Sequence, residues 1–135
     1  MAEENKNFQL EIITPDRVFY KGEASMVEFT SVDGEMGVYK NHIPLTTVLA
    51  PGIVTITEPD GKKEAAVHAG FVQILADKVT FLAEIAEWPE EIDVARAEAA
   101  KVRAEERLRN HGAEIDVARA EIALKKALVR IGVKQ

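Results

Sequence analysis

Hydrophobic and polar residues alternate in short runs through the first two-thirds of the chain. Apolar side chains fall on every second position, as in Phe8, Leu10 and Ile12, which is the period of a half-buried strand. Similar runs occur at 27–29, 54–56, 72–74 and 79–81. Proline and glycine separate the runs at turn signals such as Thr14-Pro15-Asp16 and Lys21-Gly22. The spacing of roughly 8–12 residues per run predicts a β-sandwich or a flattened barrel.

The pattern changes after Trp88-Pro89. No proline follows, and alanine, glutamate, lysine and arginine dominate, all of which favour helix. Glu90 and Glu91 would bring negative charge to the start of a helix, and Asp93 would add charge in its first turn, where the helix dipole favours it. The paired carboxylates Glu90-Glu91 and Glu105-Glu106 are expected to lie on solvated faces of the helices.

A helical hairpin is expected in this second part. Asn110-His111-Gly112 interrupts the helical pattern, and a second helix is predicted from about Glu114 to Ile131. Two helices joined by so short a turn must be antiparallel neighbours. The sequence therefore predicts an α+β chain, with a β-sandwich docking domain at 1–88 and a regulatory hairpin at 89–135.

The apolar face of the predicted hairpin is thin. The first helix offers Ile92, Val102 and Leu108, with alanines between them that bury little area each. A hairpin held by so little apolar surface could detach or extend if a partner offered a better one. Mobility of the hairpin is therefore a hypothesis from the sequence.

The hairpin contains an internal repeat. Residues 91–98, EIDVARAE, recur identically at 114–121. Both copies have the composition of good helix starts, with acids in the first turn. A period of 23 residues that occurs twice is too short for a solenoid.

Composition divides the chain at the same point. Of its 135 residues, 1–90 carry seven basic and fifteen acidic residues, a net charge of −8, whereas 91–135 carry ten and eight, a net of +2. Six of the seven arginines lie in the second part. Cysteine is absent, which excludes disulfides and thiol chemistry. No apolar run exceeds three residues, and residues 1–5 contain no basic region and no apolar stretch, so neither a membrane span nor a secretory signal is expected.

Enzyme signatures are missing from the sequence. There is no GxxxxGK[ST] phosphate loop, no GxGxxG and no HExxH pattern, and neither Ser25 nor Ser31 sits in a GxSxG turn. His42, His68 and His111 are far apart in sequence, so each is expected as a loop or surface histidine and not as a ligand. No catalytic site and no metal site is predicted.

A group of basic side chains is expected where the hairpin opens. Arg96 and Arg103 are seven residues apart and share one face of the first helix, about 10 Å apart along its axis. Lys126 and Arg130 share a face of the second helix. Folding the hairpin near residue 112 brings position 96 opposite 128, so Arg96, Lys126 and Arg130 meet, with Arg103 two turns further in.

Three kinds of partner could neutralise these cations. The nearby carboxylates of Asp93, Glu98 and Glu121 could form salt bridges within the hairpin. A polyphosphate could instead be bound by the forked guanidinium groups. Nucleic acid is a third class, but the net charge of −6 argues against a duplex-binding protein. The pattern alone leaves the first two alternatives open.

Two segments of the first part resemble a known family. Residues 34–45, GEMGVYKNHIPL, continue to Leu49 and Pro51-Gly52 in a pattern similar to GxxGxxxxHxPL…LxPG. The segments 68–71 and 78–83 look like the next two strands of the same family. On these motifs the chain resembles, over essentially its whole length, the epsilon subunit of bacterial F-type ATP synthases.

The resemblance implies a place in a rotary stalk. In this family the sandwich packs on the gamma subunit and rests on the ring of membrane c subunits, coupling proton-driven rotation to ATP synthesis. The acid and the histidine of the c-ring contact correspond to Glu35 and His42. The hairpin regulates: folded, it permits ATP hydrolysis, and extended into the catalytic alpha/beta head, it inhibits. A peripheral location on the cytoplasmic face of the bacterial cell membrane is implied as well.

The resemblance further implies an ATP site on the folded hairpin. Some bacterial members, chiefly from bacilli, bind ATP through an [IL]DxxRA motif, which residues 92–97 match in full. The implied ligand contacts are Glu87, Ile92, Asp93, Arg96, Ala97, Arg103, Lys126 and Arg130. Lys126 departs from the family pattern, because lysine replaces arginine and lacks its planar fork. ATP is expected as a regulatory ligand that this non-catalytic chain does not hydrolyse. A free-standing nucleotide-binding or signalling module is the alternative function.

Overall fold

Eight strands followed by two helices make up the part of the chain that a computed structural model describes, residues 5–110 and 116–134. The strands are β1 (Phe8–Ile13), β2 (Val18–Ala24), β3 (Met26–Ser31), β4 (Gly34–Tyr39), β5 (Leu45–Val48), β6 (Gly52–Glu58), β7 (Gly61–Ile74) and β8 (Lys78–Glu87). A 3₁₀ turn, Pro89–Glu91, precedes the helices α1 (Val94–Arg109) and α2 (Val117–Lys134). The predicted α+β class, a β-sandwich followed by a two-helix hairpin, is confirmed.

The sheet bends around one core. Its strands run in the order β2-β1-β8-β7-β6-β3-β4, with β1 parallel to β8 and the other neighbours antiparallel. The long strand β7 pairs with β6 through residues 61–67 and with β5 through residues 71–74, so the two halves of the strand belong to different layers. The inward positions of the predicted runs, such as Leu10, Ile56 and Phe81, fill the space between the layers and are fully buried.

Strand β7 changes the face that it presents to the core at Ala69 and Gly70. Before this point Val67 enters the main core, whereas Ala66 lies on the opposite face. After it the even-numbered Val72 enters the core. Both residues at the switch have positive φ, 57° and 121°, which breaks the two-residue alternation of an extended strand. A Cβ on Gly70 would overlap the backbone of β8, so glycine is required there.

One predicted turn was wrong. Lys21-Gly22 does not end a strand but lies inside β2, where Gly22 pairs with Leu10 of β1. A Cβ on Gly22 would lie 2.8 Å from the hydroxyl oxygen of Tyr20. The glycine therefore makes room for a neighbouring aromatic side chain and does not reverse the chain.

The helices differ from the prediction in where they begin and end. Asp93 is not in the first turn of α1 but is its N-cap, with Oδ1 accepting the backbone N–H of Arg96 at 3.1 Å. Helix α2 continues three residues beyond the predicted end and stops at Lys134. The predicted turn residues His111-Gly112 and the predicted start at Glu114 lie outside the described residues. Neither described helix is both long and apolar enough to cross a membrane.

The buried residues of α1 are alanines, and α2 buries two alanines besides Val133, whereas Leu108 is half-buried. Val102 was expected on the apolar face of α1 but is 50% exposed. The buried positions are Ala97 and Ala104 of α1 and Ala120 and Ala127 of α2, each pair seven residues apart. Methyl groups at this spacing allow close approach but bury little area, as the sequence indicated.

The hairpin lies on the outer face of the sheet. A second apolar cluster joins Ala66 of β7 to Ile92 and to Val133 of α2, with the half-buried Ile53 and Val129 beside them. Helix α2 makes this contact, against β6, β7 and the 3₁₀ turn. The cluster is small in comparison with the main core, so the hairpin is docked through a narrow apolar patch.

The link between sheet and hairpin is fastened to the sheet. The ring of Trp88 stacks on Phe19 with centroids 4.3 Å apart. The guanidinium of Arg17 donates to both carboxylate oxygens of Glu91 at 2.9 Å and lies 5.0 Å from the centroid of Phe19. Residues 88–91 are therefore held to the sandwich, and the chain enters the hairpin through the extended residues Ile92-Asp93, of which Ile92 packs against Ala66.

Candidate functional site

A cavity of about 380 Å³ opens between the end of β8, the 3₁₀ turn and the two helices. Its volume is within the range of small-molecule sites. Its lining residues are Glu87, Glu91, Ile92, Asp93, Arg96, Ala97, Ala100, Arg103 and Arg130. The sandwich contributes the first of these and the hairpin most of the others, so the cavity exists only where the two parts meet.

The helix start determines which side chains reach this hairpin cavity. With Asp93 as N-cap, the positions 96, 100 and 103 follow one another at intervals of four and three and so share one face of α1. The residue in the middle is Ala100, whose short side chain leaves space between the two arginines. Arg96 and Arg103 thus flank an open stretch of helix.

Most acids of the cavity already have partners. Glu87 Oε1 accepts from Arg130 Nε at 2.7 Å, across the boundary between β8 and α2. Glu91 accepts from Arg17 and from the backbone N–H of Trp88. Asp93 is engaged as the helix cap. Each of these acids is thus held by a partner other than Arg96 or Arg103.

Arg96 and Arg103 are the basic side chains that remain. Over residues 5–110 and 116–134, no carboxylate oxygen lies within 4.0 Å of either guanidinium. The salt bridges that Glu98 or Glu121 could make with these arginines are therefore absent among the described residues. Two guanidinium groups on one wall of a cavity make it attractive to an anion.

The environment of Glu91 keeps it charged. The hydrogen bond from Arg17 lowers the pKa of Glu91 below its usual value, and the bond from the Trp88 amide lowers it further. Glu91 is exposed, as the sequence predicted, but it lies in the 3₁₀ turn and is paired with Arg17, which the sequence did not indicate. Its partner lies 74 positions earlier in the chain, a distance over which no helical or strand period could have shown the contact.

The structure brings together seven of the eight residues that the resemblance assigned to a ligand. The seven are Glu87, Ile92, Asp93, Arg96, Ala97, Arg103 and Arg130. Lys126 is half-buried on α2 and is not part of the lining, although its charge acts on the neighbouring His68. Glu91 and Ala100 also line the cavity and were not predicted as site residues. Ala100 follows Arg96 by one helical turn, which is the signal that could have found it.

The sequence predicted a loop or surface position for His68, but the side chain is fully buried. It follows Ala66 on the face of β7 that the hairpin covers, and its Nε2 is 3.6 Å from Glu87 Oε1. His42 does lie in a loop, with Nδ1 2.6 Å from the carbonyl oxygen of Ile43. The third histidine, His111, falls outside the described residues.

Glu35 and His42 lie on different elements, Glu35 within β4 and His42 in the loop after it, with Glu35 exposed and His42 partly exposed. Glu35 is the second residue of β4 and His42 follows the last residue of that strand, Tyr39, by three positions. Four extended steps of about 3.3 Å already separate Glu35 from Tyr39.

An exposed apolar row crosses the other layer of the sheet. Val48, Phe71, Leu82, Ile13 and Val18 are successive cross-strand partners on β5, β7, β8, β1 and β2. Phe71 is 53% exposed and Leu82 is 52% exposed, although both are large apolar side chains. Single exposed apolar residues are ordinary, but a row across five neighbouring strands marks an interaction surface.

The described part of the second copy of the repeat, residues 116–121, has the same helix cap. Asp116 Oδ1 accepts the backbone N–H of Arg119 at 3.1 Å, as Asp93 does for Arg96. Neither Asp116 nor Arg119 lines the hairpin cavity. The aspartate of the motif therefore caps a helix in both copies, and the hairpin cavity lies at the first copy.

Comparison with known proteins agrees with this architecture. The family model described as the ATP synthase Delta/Epsilon chain, beta-sandwich domain, matches residues 7–89, and the model of the long alpha-helix domain of the same chain matches residues 90–135. The protein belongs to the ATP synthase delta/epsilon chain family.

Two similar proteins are described as ATP synthase epsilon chains. The chain is 46% identical to the ATP synthase epsilon chain of Caldanaerobacter subterraneus subsp. tengcongensis over 96% of its own length and 94% of the relative. It is 49% identical to the ATP synthase epsilon chain of Alkaliphilus metalliredigens, over 93% and 94%. Among solved structures, a chain of the Euglena gracilis mitochondrial ATP synthase aligns with a TM-score of 0.81, covering 94% of this chain and 81% of that one. At 22% identity, that alignment supports the fold.

Proposed function

We propose that this protein is the epsilon subunit of the central stalk of a rotary F-type ATP synthase, and that its docked hairpin binds ATP as a regulatory ligand. The proposal of ATP binding rests on the guanidinium groups of Arg96 and Arg103, which have no carboxylate within 4.0 Å among the described residues. Both flank a cavity next to the IDVARA segment. A polyphosphate supplies the missing negative charge in a bidentate geometry that arginine favours.

The cavity would make the nucleotide a clip between the two parts of the chain. Glu87 belongs to the sheet, whereas Arg96, Arg103 and Arg130 belong to the hairpin. A ligand that contacts both sides stabilises the docked hairpin by RT ln(1 + [L]/Kd). Low ATP then leaves the hairpin free to extend toward the alpha/beta head and inhibit hydrolysis. The chain itself performs no chemistry on the nucleotide in this mechanism.

The role of Lys126 is smaller in this site than the resemblance implied. Its side chain does not line the cavity, so its contribution is the long-range attraction of a positive charge for phosphate. Arg130 is nearer but is already bound to Glu87. A polyphosphate would compete for Arg130, which would release the Glu87 carboxylate for a donor group on the ligand.

The apolar row is the surface that we assign to the gamma subunit. It lies on the layer opposite to the hairpin contact, so the sandwich could remain attached to gamma while the hairpin moves. The exposed Glu35 and the loop of His42 are assigned to the c ring, as two separate contacts. The complex would place the chain on the cytoplasmic face of the bacterial membrane, attached through its partners and without contact to nucleic acid.

Titration calorimetry with ATP tests the ligand. The double variant Asp93→Ala/Arg96→Ala loses the cap and one guanidinium of the cavity, and we expect its affinity to fall well over tenfold. Arg96→Ala alone should cost more than about 1.4 kcal/mol, or tenfold, as loss of a charge-assisted contact.

The repeat supplies the matched control. Asp116→Ala/Arg119→Ala makes the same two changes in the same local structure, a helical cap of identical sequence, but away from the cavity. Its affinity for ATP should stay within about twofold of the unaltered protein. Equal losses in the two double variants would show that helix stability and not the site controls binding, and an unaltered protein without ATP binding would remove the proposed ligand.

Binding of purified gamma subunit tests the docking surface. Phe71→Glu places a charge in the centre of the apolar row and should abolish binding, because a carboxylate would be buried there without a partner. Gln73→Glu adds the same charge two positions along the same strand, also at an exposed position, and should leave binding intact. A protein that binds no gamma subunit and never copurifies with a membrane ATPase would instead favour the free-standing nucleotide-binding module.

A further inference from the structure

His68 is a buried imidazole without a hydrogen bond. Its exposed fraction is 0%, and neither ring nitrogen has a hydrogen-bond partner within the described ranges. Glu87 Oε1 lies 3.6 Å from Nε2, longer than an ordinary hydrogen bond. A buried polar group left in this state is costly, so some function or some second state of the molecule is expected to account for it.

The burial of His68 depends on the hairpin. Its side chain follows Ala66 on the outer face of β7, and Ala66 packs against α2. The charged groups that act on His68 come from both elements around it. Strand β8 contributes Glu87, and helix α2 contributes Arg130 and Lys126. Since Glu87 already accepts from Arg130, a positive charge on His68 would face two cations and one engaged acid.

We propose that His68 is a proton-binding site whose occupation excludes the docked hairpin. The proposal rests on the hairpin mobility stated under the proposed function. With the hairpin on the sheet, His68 is neutral and covered. With the hairpin away, the imidazole meets water, binds a proton at its ordinary affinity, and obstructs the return of Arg130 and Lys126.

The direction of the effect follows from the titration of His68. Burial lowers the pKa of His68 to about 4, and the charge of Arg130 adds to the shift, while Glu87 opposes it. The undocked state, with a pKa near 6.5, therefore binds more protons than the docked state. Docking is favoured fully above about pH 6.5 and weakens as the pH falls toward 4. From these two values the docking equilibrium should fall about thirtyfold between about pH 7.5 and about pH 5.

Proton and nucleotide are thereby antagonists. A ligand that stabilises the docked hairpin lowers the affinity of His68 for a proton, and a proton lowers the apparent affinity for the ligand by the same factor. Acidification would then release the hairpin even where the ligand concentration is unchanged.

Fluorescence energy transfer in the whole chain measures docking directly. The protein has no cysteine, so Glu23→Cys on β2 and Ala123→Cys on α2, both exposed, accept one dye each. The docked fraction is followed from about pH 7.5 to about pH 5 with the native histidine and with His68→Gln. His42→Gln is the matched control, because it removes a loop histidine that the hairpin does not cover.

We expect the docking equilibrium to fall about thirtyfold over this range with His68 or with His42→Gln, and less than about threefold with His68→Gln. An equal fall in His68→Gln, or no fall in the native chain, overturns the proposal. The ring resonance of His68 in the native chain is a second measurement that does not depend on the folding of a variant. A midpoint near pH 6.5 with the hairpin docked also overturns the proposal. ATP calorimetry at about pH 7.5 separates the two inferences, since a protein that binds no ATP can still show the pH response.

Discussion

Gly70→Ala is the substitution that best tests how the sheet presents its two outer surfaces. Gly70 has φ of 121° at the point where β7 changes face, and it separates the part that supports the hairpin from the part that carries Phe71. A Cβ at this position would overlap the carbonyl oxygen of Leu82 and lie 2.9 Å from Ala83 Cα. Backbone atoms cannot rotate away, so β7 and β8 would have to separate.

The cost has two parts that the chain itself can separate. Gly34 has nearly the same φ, 126°, but a Cβ there meets nothing within 4 Å. Gly34→Ala should therefore show the backbone strain alone, about 1–2 kcal/mol. Gly70→Ala adds the forced separation of two paired strands, about 1–3 kcal/mol more, for a total of about 2–5 kcal/mol.

Urea unfolding followed by circular dichroism measures both losses as changes in the free energy of unfolding. The slope with denaturant should be unchanged for Gly34→Ala, so its loss can be read from the midpoint. Equal losses for the two variants would refute the steric argument, because they would leave only the φ strain that both sites share. If Gly70→Ala folds, we also expect weaker ATP binding, since the face of β7 under the hairpin is displaced.

Three further substitutions test the link and the helix contact. Arg17→Gln should raise the pKa of Glu91 toward its ordinary value, so the carboxyl carbon of Glu91 should titrate at higher pH in the variant by NMR. In the unaltered protein the ion pair stabilises the fold above the ordinary pKa of Glu91, and this contribution is lost as the pH falls through the lowered pKa. Trp88→Ala should cost about 2 kcal/mol in thermal unfolding, because the half-buried ring loses its stacking on Phe19. Ala104→Leu should overpack the helix contact by about 1–3 kcal/mol, and hydrogen exchange should rise in the hairpin while the sheet stays protected.

Local periodicity was sufficient to predict the strands that have one wet and one buried face. Phe8, Leu10 and Ile12 are buried as their alternation indicated. The turn signal was wrong in β2, where Gly22 makes room for the side chain of Tyr20 and does not form a turn. On the hairpin, periodicity predicted the helices correctly but placed Val102 on the buried face. The prediction favoured the more hydrophobic residue, whereas the buried positions of α1 are alanines, which allow closer packing.

The candidate site was predictable only as far as its residues are close in sequence or match a family motif. Arg96 and Arg103 follow from helical spacing alone. The contact of Arg17 with Glu91 and the burial of His68 depend on which strands become neighbours in the bent sheet, and no local pattern contains that information. The placement of Lys126 outside the cavity depends on the rotation of α2 about its axis, which the docking patch at Val133 and Ile92 determines.

The fastening of residues 88–91 to the sheet has a consequence for measurement of any movement in this molecule. Trp88 is the one tryptophan, and we expect it to stay stacked on Phe19 when the hairpin moves, because that contact lies within the sandwich and its link. Its emission therefore reports on the integrity of the sandwich and is blind to the position of α1 and α2. Intrinsic fluorescence of a chain with its hairpin extended would look like that of the docked protein, and a constant signal would be no sign of a static hairpin.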